Sequence, residues 1–345
     1  MKAELDMTQQ FDVSVVICTY NRCKLLPAAL ESVLDQQADS LSYEVVVVDN
    51  NSRDETRQVI ESFIARGHNN LHYVFEGKQG LSHARNAGIA NSRAPIVAFT
   101  DDDVRVERNW VATNKRALDE HPEVDFVGGK TLPRWEKEPP AWLTQRHWSP
   151  LALVDYGDQP FYADTENPVC LIGASLCVRR HVFNKVGLFS PEFQHFKGSV
   201  CGTEDHEFLT RIWDAGGKGL YLPDLFIIAD VQAERVTKAY HRKWHWGHGY
   251  LLAKMRLAEI ERSGSGRLFD VPAHLYRQAA VDALGWLKHA LGGDAERAFA
   301  HETELRFFAG YFRKRREDFA ATKERGTLGE IGAFVRSFAS AKKQS

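Results

Sequence analysis

The sequence predicts an α/β fold: a doubly wound, mostly parallel sheet flanked by helices, with a helical appendage at its C-terminal end. Three observations carry that prediction. Short β-branched or aromatic runs alternate with helical patterns through the first third of the chain, as parallel βαβ units do. Each run stops at a polar cluster. From about Val236 onward the runs give way to long helical stretches.

Taken in order, residues 13–18 (VSVVIC), 43–48 (YEVVVV), 71–75 (LHYVF) and 95–100 (PIVAFT) read as buried strands. Helical patterns at about 24–37, 53–66 and 81–91 separate them. Right-handed crossovers then put a ligand site beyond the carboxyl ends of the strands. Thr19-Tyr20-Asn21-Arg22, Asp49-Asn50-Asn51-Ser52 and Asp101-Asp102-Asp103 follow three of those strands and would gather on one rim. The stretch 130–170 is rich in Pro and Trp with little periodicity, and reads as an insertion or lid over the rim. A strand at 174–179, a helix at 204–215 and strands near 219–222 and 226–228 complete a domain over 1–235. Residues 236–345 form the helical C-terminal region, broken at Ser263-Gly264-Ser265-Gly266 and Gly292-Gly293.

The 345 residues carry a formal net charge of −2, so no global basic field draws the chain onto nucleic acid. Residues 1–12 lack the layout of a secretory signal, and no apolar stretch has the length needed to cross a bilayer. The expected location is cytoplasmic, with peripheral attachment at the inner face of the membrane as an extension. The five cysteines are odd in number and include no Cys-x-x-Cys pair, which favours buried free thiols.

Three consecutive carboxylates at a strand end repel one another unless a cation or hydrogen-bond donors compensate. Mg²⁺ or Mn²⁺ suits them, because such ions take a few protein carboxylates and fill the remaining positions with water and substrate phosphates. A solvated acidic turn or a helix cap is the ordinary alternative. The position beside other polar strand ends favours the metal.

With these residues in view, the chain resembles the family 2 glycosyltransferases, which have the Rossmann-like GT-A fold of nucleotide-diphospho-sugar transferases. The matching segments are VVICTYNR (15–22), VVVVDNNSRDET (45–56), GLSHARNAG (80–88), IVAFTDDDV (96–104) and GTEDHEFLTRI (202–212), in the family's order. The resemblance implies that Cys18, Tyr20 and Asp49 hold the nucleotide, with Arg85 a further donor-site residue. It implies a D-x-D element of Asp101 and Asp103, Asp103 binding the metal and Asp101 lying nearer the ribose or diphosphate. Singly, Tyr20 as a packed aromatic, Arg85 as a surface residue and Asp49 or Asn51 as turn residues are ordinary readings.

Inversion at an anomeric carbon needs a carboxylate opposite the departing diphosphate, placed to take the acceptor's proton. Glu204 and Asp205 open an amphipathic helical pattern, with Thr203 as its expected N-cap. They could simply stabilise a helix start. The resemblance implies instead that Asp205 is the base, and Glu204 is read as positioning the acceptor.

The run 241–250 (HRKWHWGHGY) has the chain's most unusual composition. His241 and His245 have a spacing that can bind zinc on a helix, although no third ligand is evident. Cations beside Trp faces suit a diphosphate and a sugar ring, so closure over donor and acceptor is preferred, with an amphipathic surface helix as the alternative. HRKW only partly matches the Q-x-x-R-W element of membrane-spanning family members that build polymers.

The function expected is an inverting, metal-dependent transfer of a sugar from a nucleotide sugar, a UDP-sugar first among candidates, to a saccharide or lipid-linked acceptor. Its setting would be bacterial-type polysaccharide, glycolipid or glycoprotein glycan assembly. A non-catalytic sugar-nucleotide-binding protein and a sugar-nucleotide nucleotidyltransferase are the alternatives. The second should carry a Gly-rich loop where TYNR stands, and a dinucleotide-dependent oxidoreductase would need G-x-G-x-x-G there. Basic and apolar residues mix in TKAYHRKW and RFFAGYFRKRRE, which suits membrane docking, a dimer interface or internal packing alike.

Overall fold

The computed structural model describes residues 10–38, 41–194, 199–261 and 266–321. Two compact units emerge: the described residues of 1–136, 152–194 and 204–232 form the first, and those of 137–151, 195–203 and 233–345 the second.

The first unit contains a nine-stranded sheet. Its strands are β1 (Val13–Thr19), β2 (Tyr43–Asp49), β3 (Leu71–Phe75), β4 (Ile96–Asp101), β5 (Val104–Val106), β6 (Phe126–Trp135), β7 (Phe161–Ala163), β8 (Cys177–Arg179) and β9 (Gly219–Val231). The helices are α1 (Leu26–Leu34), α2 (Thr56–Ala65), α3 (Leu81–Asn91), α4 (Trp110–Glu120), α5 (Arg180–Val186) and α6 (Glu204–Asp214). Across the sheet the order is β3-β2-β1-β4-β8-β6-β9-β5, with β7 beside β9.

The half containing β1 to β4 is parallel throughout. Residues of β1 and β2 are buried almost continuously, as strands covered on both faces must be. The covering helices show the matching stripe: α1 buries Leu26, Ala29, Leu30 and Val33. Register aligns the strand ends, Thr19 with Asp49 and Cys18 with Asp101, so the polar residues that follow each strand meet at one rim.

The other half is mixed. β8 runs antiparallel to β4 and β6, β5 and β7 run antiparallel to β9, and β6 and β9 are parallel. Several expectations are revised here. Residues 130–135, read as the start of an insertion, belong to β6, and β7 lies inside the same stretch. Of the expected 174–179 strand Cys177–Arg179 forms β8, because Gly173–Ser175 is a 3₁₀ turn that Leu176 leaves in extended conformation. The two strands expected at 219–222 and 226–228 are one, β9, whose pairing with β6 shifts register at Gly129/Lys130. Such an irregularity breaks the period-2 pattern from which strands are read.

In the second unit, α7 (Lys238–Met255) and α8 (Ala258–Glu261) precede a hairpin of β10 (Arg267–Leu268) and β11 (Val271–Pro272), then α9 (Ala273–Leu291) and α10 (Ala295–Ala321). Ala253, Val271, Leu275, Phe308 and Tyr311 form its core. Among the described residues no helix is long and apolar enough to cross a membrane. His241 packs as an aromatic side chain, edge-on to Trp142 with ring centroids 5.1 Å apart, and neither ring nitrogen has a hydrogen-bond partner. Burial, then the neighbouring His245 and His147, pushes its pKa down to about 3 and keeps the ring neutral. None of the five cysteines is in a disulfide; Cys177 and Cys201 are buried, whereas Cys18, Cys23 and Cys170 are only partly so.

Helices α7 and α10 approach at glycines. A Cβ on Gly310 would lie 1.9 Å from the Trp246 carbonyl oxygen, and one on Gly249 would lie 2.0 Å from that of Phe307. In an ordinary helix Gly→Ala stabilises by about 1 kcal/mol. Gly310→Ala should do the opposite, because the methyl group meets backbone that cannot move without separating the helices. A net loss on the order of 1–3 kcal/mol is expected in urea unfolding followed by helical circular dichroism.

Candidate active site

The loops that leave β1 and β2 are locked together. Asn21 and Asn51 both take left-handed backbone angles, φ 52° and 65°, which asparagine tolerates better than most residues. Asn21 N–H donates to Ser52 Oγ (2.9 Å), and Arg53 N–H donates to Asn21 Oδ1 (2.8 Å). Asn50 ties the same rim to α3, donating to the Glu76 and Lys78 carbonyls and accepting from Gly80 N–H at 2.7 Å. The buried Asp49 carboxylate accepts from Ser52 N–H (2.9 Å) and Tyr73 O–H (3.1 Å). Its turn-forming role is thus present, and it stands at the rim. Tyr20, 45 % exposed, stands just beyond β1. Cys18 sits beside Asp101 in register, its thiol pushed up to about 12 by burial against the opposing pull of Arg85.

Asp101 ends β4, and Asp102 and Asp103 turn the chain into β5. Arg22 reaches this corner, its Nη1 2.7 Å from Asp103 Oδ2 and 3.7 Å from Asp102 Oδ1. Gln232 Nε2 also lies 3.5 Å from Asp103 Oδ2, and Arg85 acts on Asp101. Burial raises Asp101 to about 6, Arg85 opposing and the charges of Asp103 and Asp205 adding to the rise. Burial likewise raises Asp102, with Arg22 opposing. This all-oxygen, charge-crowded corner fits a hard divalent ion. Among the described residues no group of three or more His, Cys, Asp or Glu could hold a metal by itself. An ion here would complete its shell with water and ligand phosphates, as Mg²⁺ commonly does.

Glu204 and Asp205 occupy the first turn of α6, where the helix dipole favours negative charge. Thr203 does not cap that helix: its hydroxyl is buried without a hydrogen-bond partner. The acids are met instead by Arg85 of α3, which is 3 % exposed. Its Nη1 bonds Asp205 Oδ1 and lies 3.4 Å from Glu204 Oε1, while its guanidinium sits 5.2 Å from the Phe189 ring centre. Burial works against the charged form of Arg85, yet Asp205, Glu204 and Asp101 outweigh it and raise its pKa. Asp205 Oδ2 accepts from Gly173 N–H at 2.9 Å. Any side chain at 173 would collide with this pair, since a Cβ there would lie 2.4 Å from Arg85 Nη2 and 2.6 Å from Asp205 Oδ1. Glu204 is raised by burial and then by the Asp205 charge, with Arg85 opposing, and its Oε2 is buried without a partner.

Arg85, expected at the donor from its motif, therefore has the second acidic element as its bonded partner and Asp101 as an electrostatic neighbour. Sequence reading missed two contributors. Arg22 lay in view within TYNR without an assigned role; Gly173, inside the apolar stretch LIGAS, offered no signal.

The profile of glycosyl transferase family 2 matches residues 14–187. The glucosyl-dolichyl phosphate glucuronosyltransferase of Haloferax volcanii is 30% identical over 281 residues, covering 80% of this chain and 82% of its own. Among solved structures, the mannosyltransferase PcManGT of Pyrobaculum calidifontis, in complex with GDP-Man and Mn²⁺, aligns with TM-score 0.52 at 19% identity, covering 97% of this chain and 81% of that one. S. aureus TarS 1–349 in complex with UDP aligns with TM-score 0.50 at 18% identity, covering 88% and 91%. These likenesses give the fold as GT-A. The profile match and the archaeal relative go further, and on them the chain belongs to glycosyl transferase family 2.

Proposed function

We propose that this glycosyltransferase is inverting and metal-dependent, moving a sugar from a nucleotide-sugar donor to an acceptor hydroxyl. The observation that carries the reading is the meeting of two acidic elements on one buried arginine. Arg85 bonds Asp205, 120 positions away, and feels the charge of Asp101.

In this reading Asp103 and Asp101 hold Mg²⁺ or Mn²⁺, which when bound offsets the charge that develops on the departing diphosphate. Cys18, Tyr20 and Asp49 line the nucleotide side of the rim. Asp205 takes the proton of the acceptor hydroxyl as its oxygen attacks the anomeric carbon, and the carbon–oxygen bond to the diphosphate breaks on the opposite face. Arg85 and Gly173 N–H occupy one lone pair on each Asp205 oxygen and fix the carboxylate, leaving other lone pairs to accept the proton. Glu204, with an unpartnered oxygen, orients the acceptor. UDP and GDP-mannose in the two structural neighbours support a nucleotide-sugar donor, and the name of the archaeal relative supports a lipid-linked acceptor.

The test is calorimetric titration with UDP and with GDP, each with and without Mn²⁺, followed by a screen of nucleotide sugars for slow hydrolysis. At least one nucleotide should bind only with metal, and its sugar conjugates should be hydrolysed. Binding of neither in the presence of Mn²⁺ overturns the donor reading; tight binding with no hydrolysis or transfer of any donor leaves a non-catalytic binder.

A further inference from the structure

Arg22 is the charged residue of the TYNR segment, and its backbone is fixed. Its carbonyl accepts from Leu25 N–H and Leu26 N–H, each at 3.0 Å, and the next amide, Cys23 N–H, donates to Asp54 Oδ2 at 3.0 Å. The side chain that leaves this base is 37 % exposed. Its Nη1 lies 2.7 Å from Asp103 Oδ2 and 3.7 Å from Asp102 Oδ1. Nε and Nη2 have no bonded partner among the described residues.

Burial opposes a charge at this corner, yet Asp102 and Asp103 outweigh it and raise the Arg22 pKa. Asp103 is set in place from β9, whose Asp230 N–H donates to the Asp103 carbonyl at 2.7 Å. The carboxylate oxygen that contacts Arg22 thus belongs to the residue proposed to bind the metal. A divalent ion bonded to Asp103 would share it with a guanidinium that cannot lose its proton. Where little water screens them, two like charges repel. A nucleoside diphosphate removes the conflict. Its oxygens help to complete the shell of the ion, and they also accept paired N–H groups from an arginine, a match that suits Nε and Nη2.

We infer that Arg22 makes metal binding at this corner conditional on a nucleoside diphosphate: guanidinium and divalent ion are alternative partners of Asp103, and Arg22 passes to the diphosphate when both ligands enter. The inference rests on the proposed donor reading and deepens it, because it gives Arg22 a place on the diphosphate. Metal and nucleotide are then coupled, each raising the affinity of the other by the same factor.

The experiment measures Mn²⁺ binding by the full chain from the paramagnetic resonance signal of free Mn²⁺, alone and with saturating UDP or GDP, whichever binds. The parent should bind Mn²⁺ weakly alone and roughly a hundred-fold more tightly with nucleotide. Arg22→Gln should bind Mn²⁺ alone roughly ten- to thirty-fold more tightly than the parent, and its gain from nucleotide should shrink by about the same factor. Arg22→Lys keeps the charge and should keep the weak binding of Mn²⁺ alone. Arg116→Gln removes one charge from an exposed position of α4 and should change neither quantity. Circular dichroism and melting establish that each variant is folded.

The sign discriminates, since loss of a merely structural arginine would loosen the corner and weaken Mn²⁺ binding. Unchanged or weaker binding of Mn²⁺ alone by folded Arg22→Gln therefore overturns the inference. So does an equal gain in Arg22→Lys, which would detach the effect from charge, or in Arg116→Gln, which would make it one of net charge. These results leave the donor reading standing. If instead the parent binds neither nucleotide with Mn²⁺ present, the donor reading falls and this inference with it.

Discussion

Asp205→Asn is expected to lower turnover by roughly 10² to 10⁴-fold, the range for loss of general acid–base help, while leaving fold and donor affinity nearly unchanged. Asparagine keeps the size of the side chain and its carbonyl can still accept from Gly173 N–H. Arg85 retains a carboxylate partner, Glu204 at 3.4 Å, so the buried guanidinium is not stranded. The measurement is steady-state transfer or donor hydrolysis, with melting temperature and nucleotide titration as controls. Glu204→Gln should be milder and appear partly as a raised KM for the acceptor. The reverse pattern, near-normal Asp205→Asn and dead Glu204→Gln, would make Glu204 the base. If both stayed active, the first turn of α6 would be structural only.

Asp103→Ala is expected to abolish the metal-dependent part of nucleotide binding and to reduce transfer by roughly 10³-fold. The substitution removes one carboxylate from a corner that holds three and releases Arg22, which still has Asp102 at 3.7 Å. The native fold should therefore persist. Calorimetric titration with and without Mn²⁺ separates the metal term from nucleotide contacts. A folded variant whose Mn²⁺ dependence is unchanged would remove Asp103 from the metal site, and a variant that loses binding equally with and without metal would point to a nucleotide contact.

The parallel half of the sheet was legible because its strands are consecutive in sequence and separated by helices. Strands buried on both faces appear as unbroken apolar runs such as VSVVIC and YEVVVV, and the crossover rule then orders their ends. The mixed half was less so. β8 has three residues and β6 contains Gly128, Gly129 and Pro133, so neither shows clean alternation. Each is held by neighbours far away in sequence, Phe126 pairing with Gly219 and Ala98 with Cys177. Pairing of that kind is chosen by the assembled core rather than by the local residues.

What the sequence determined by itself is the local chemistry: which carboxylates follow which strand, and that Glu204 and Asp205 begin a helix. These depend on periodicity and on residue type within a few positions. Only the tertiary structure decided the partners. Arg85 looked like a surface or donor residue on its helix, yet once α3 and α6 pack it is buried, and a buried guanidinium must find carboxylates. His241, spaced like a zinc ligand, became a neutral ring among aromatics because burial disfavours its charged form. The exposed leucines of α9, Leu284 at 68 % and Leu291 at 81 %, emerged for the complementary reason. An apolar stripe reads the same in sequence whether a neighbour covers it or not, and only the packing of the other helices shows that here none does among the described residues.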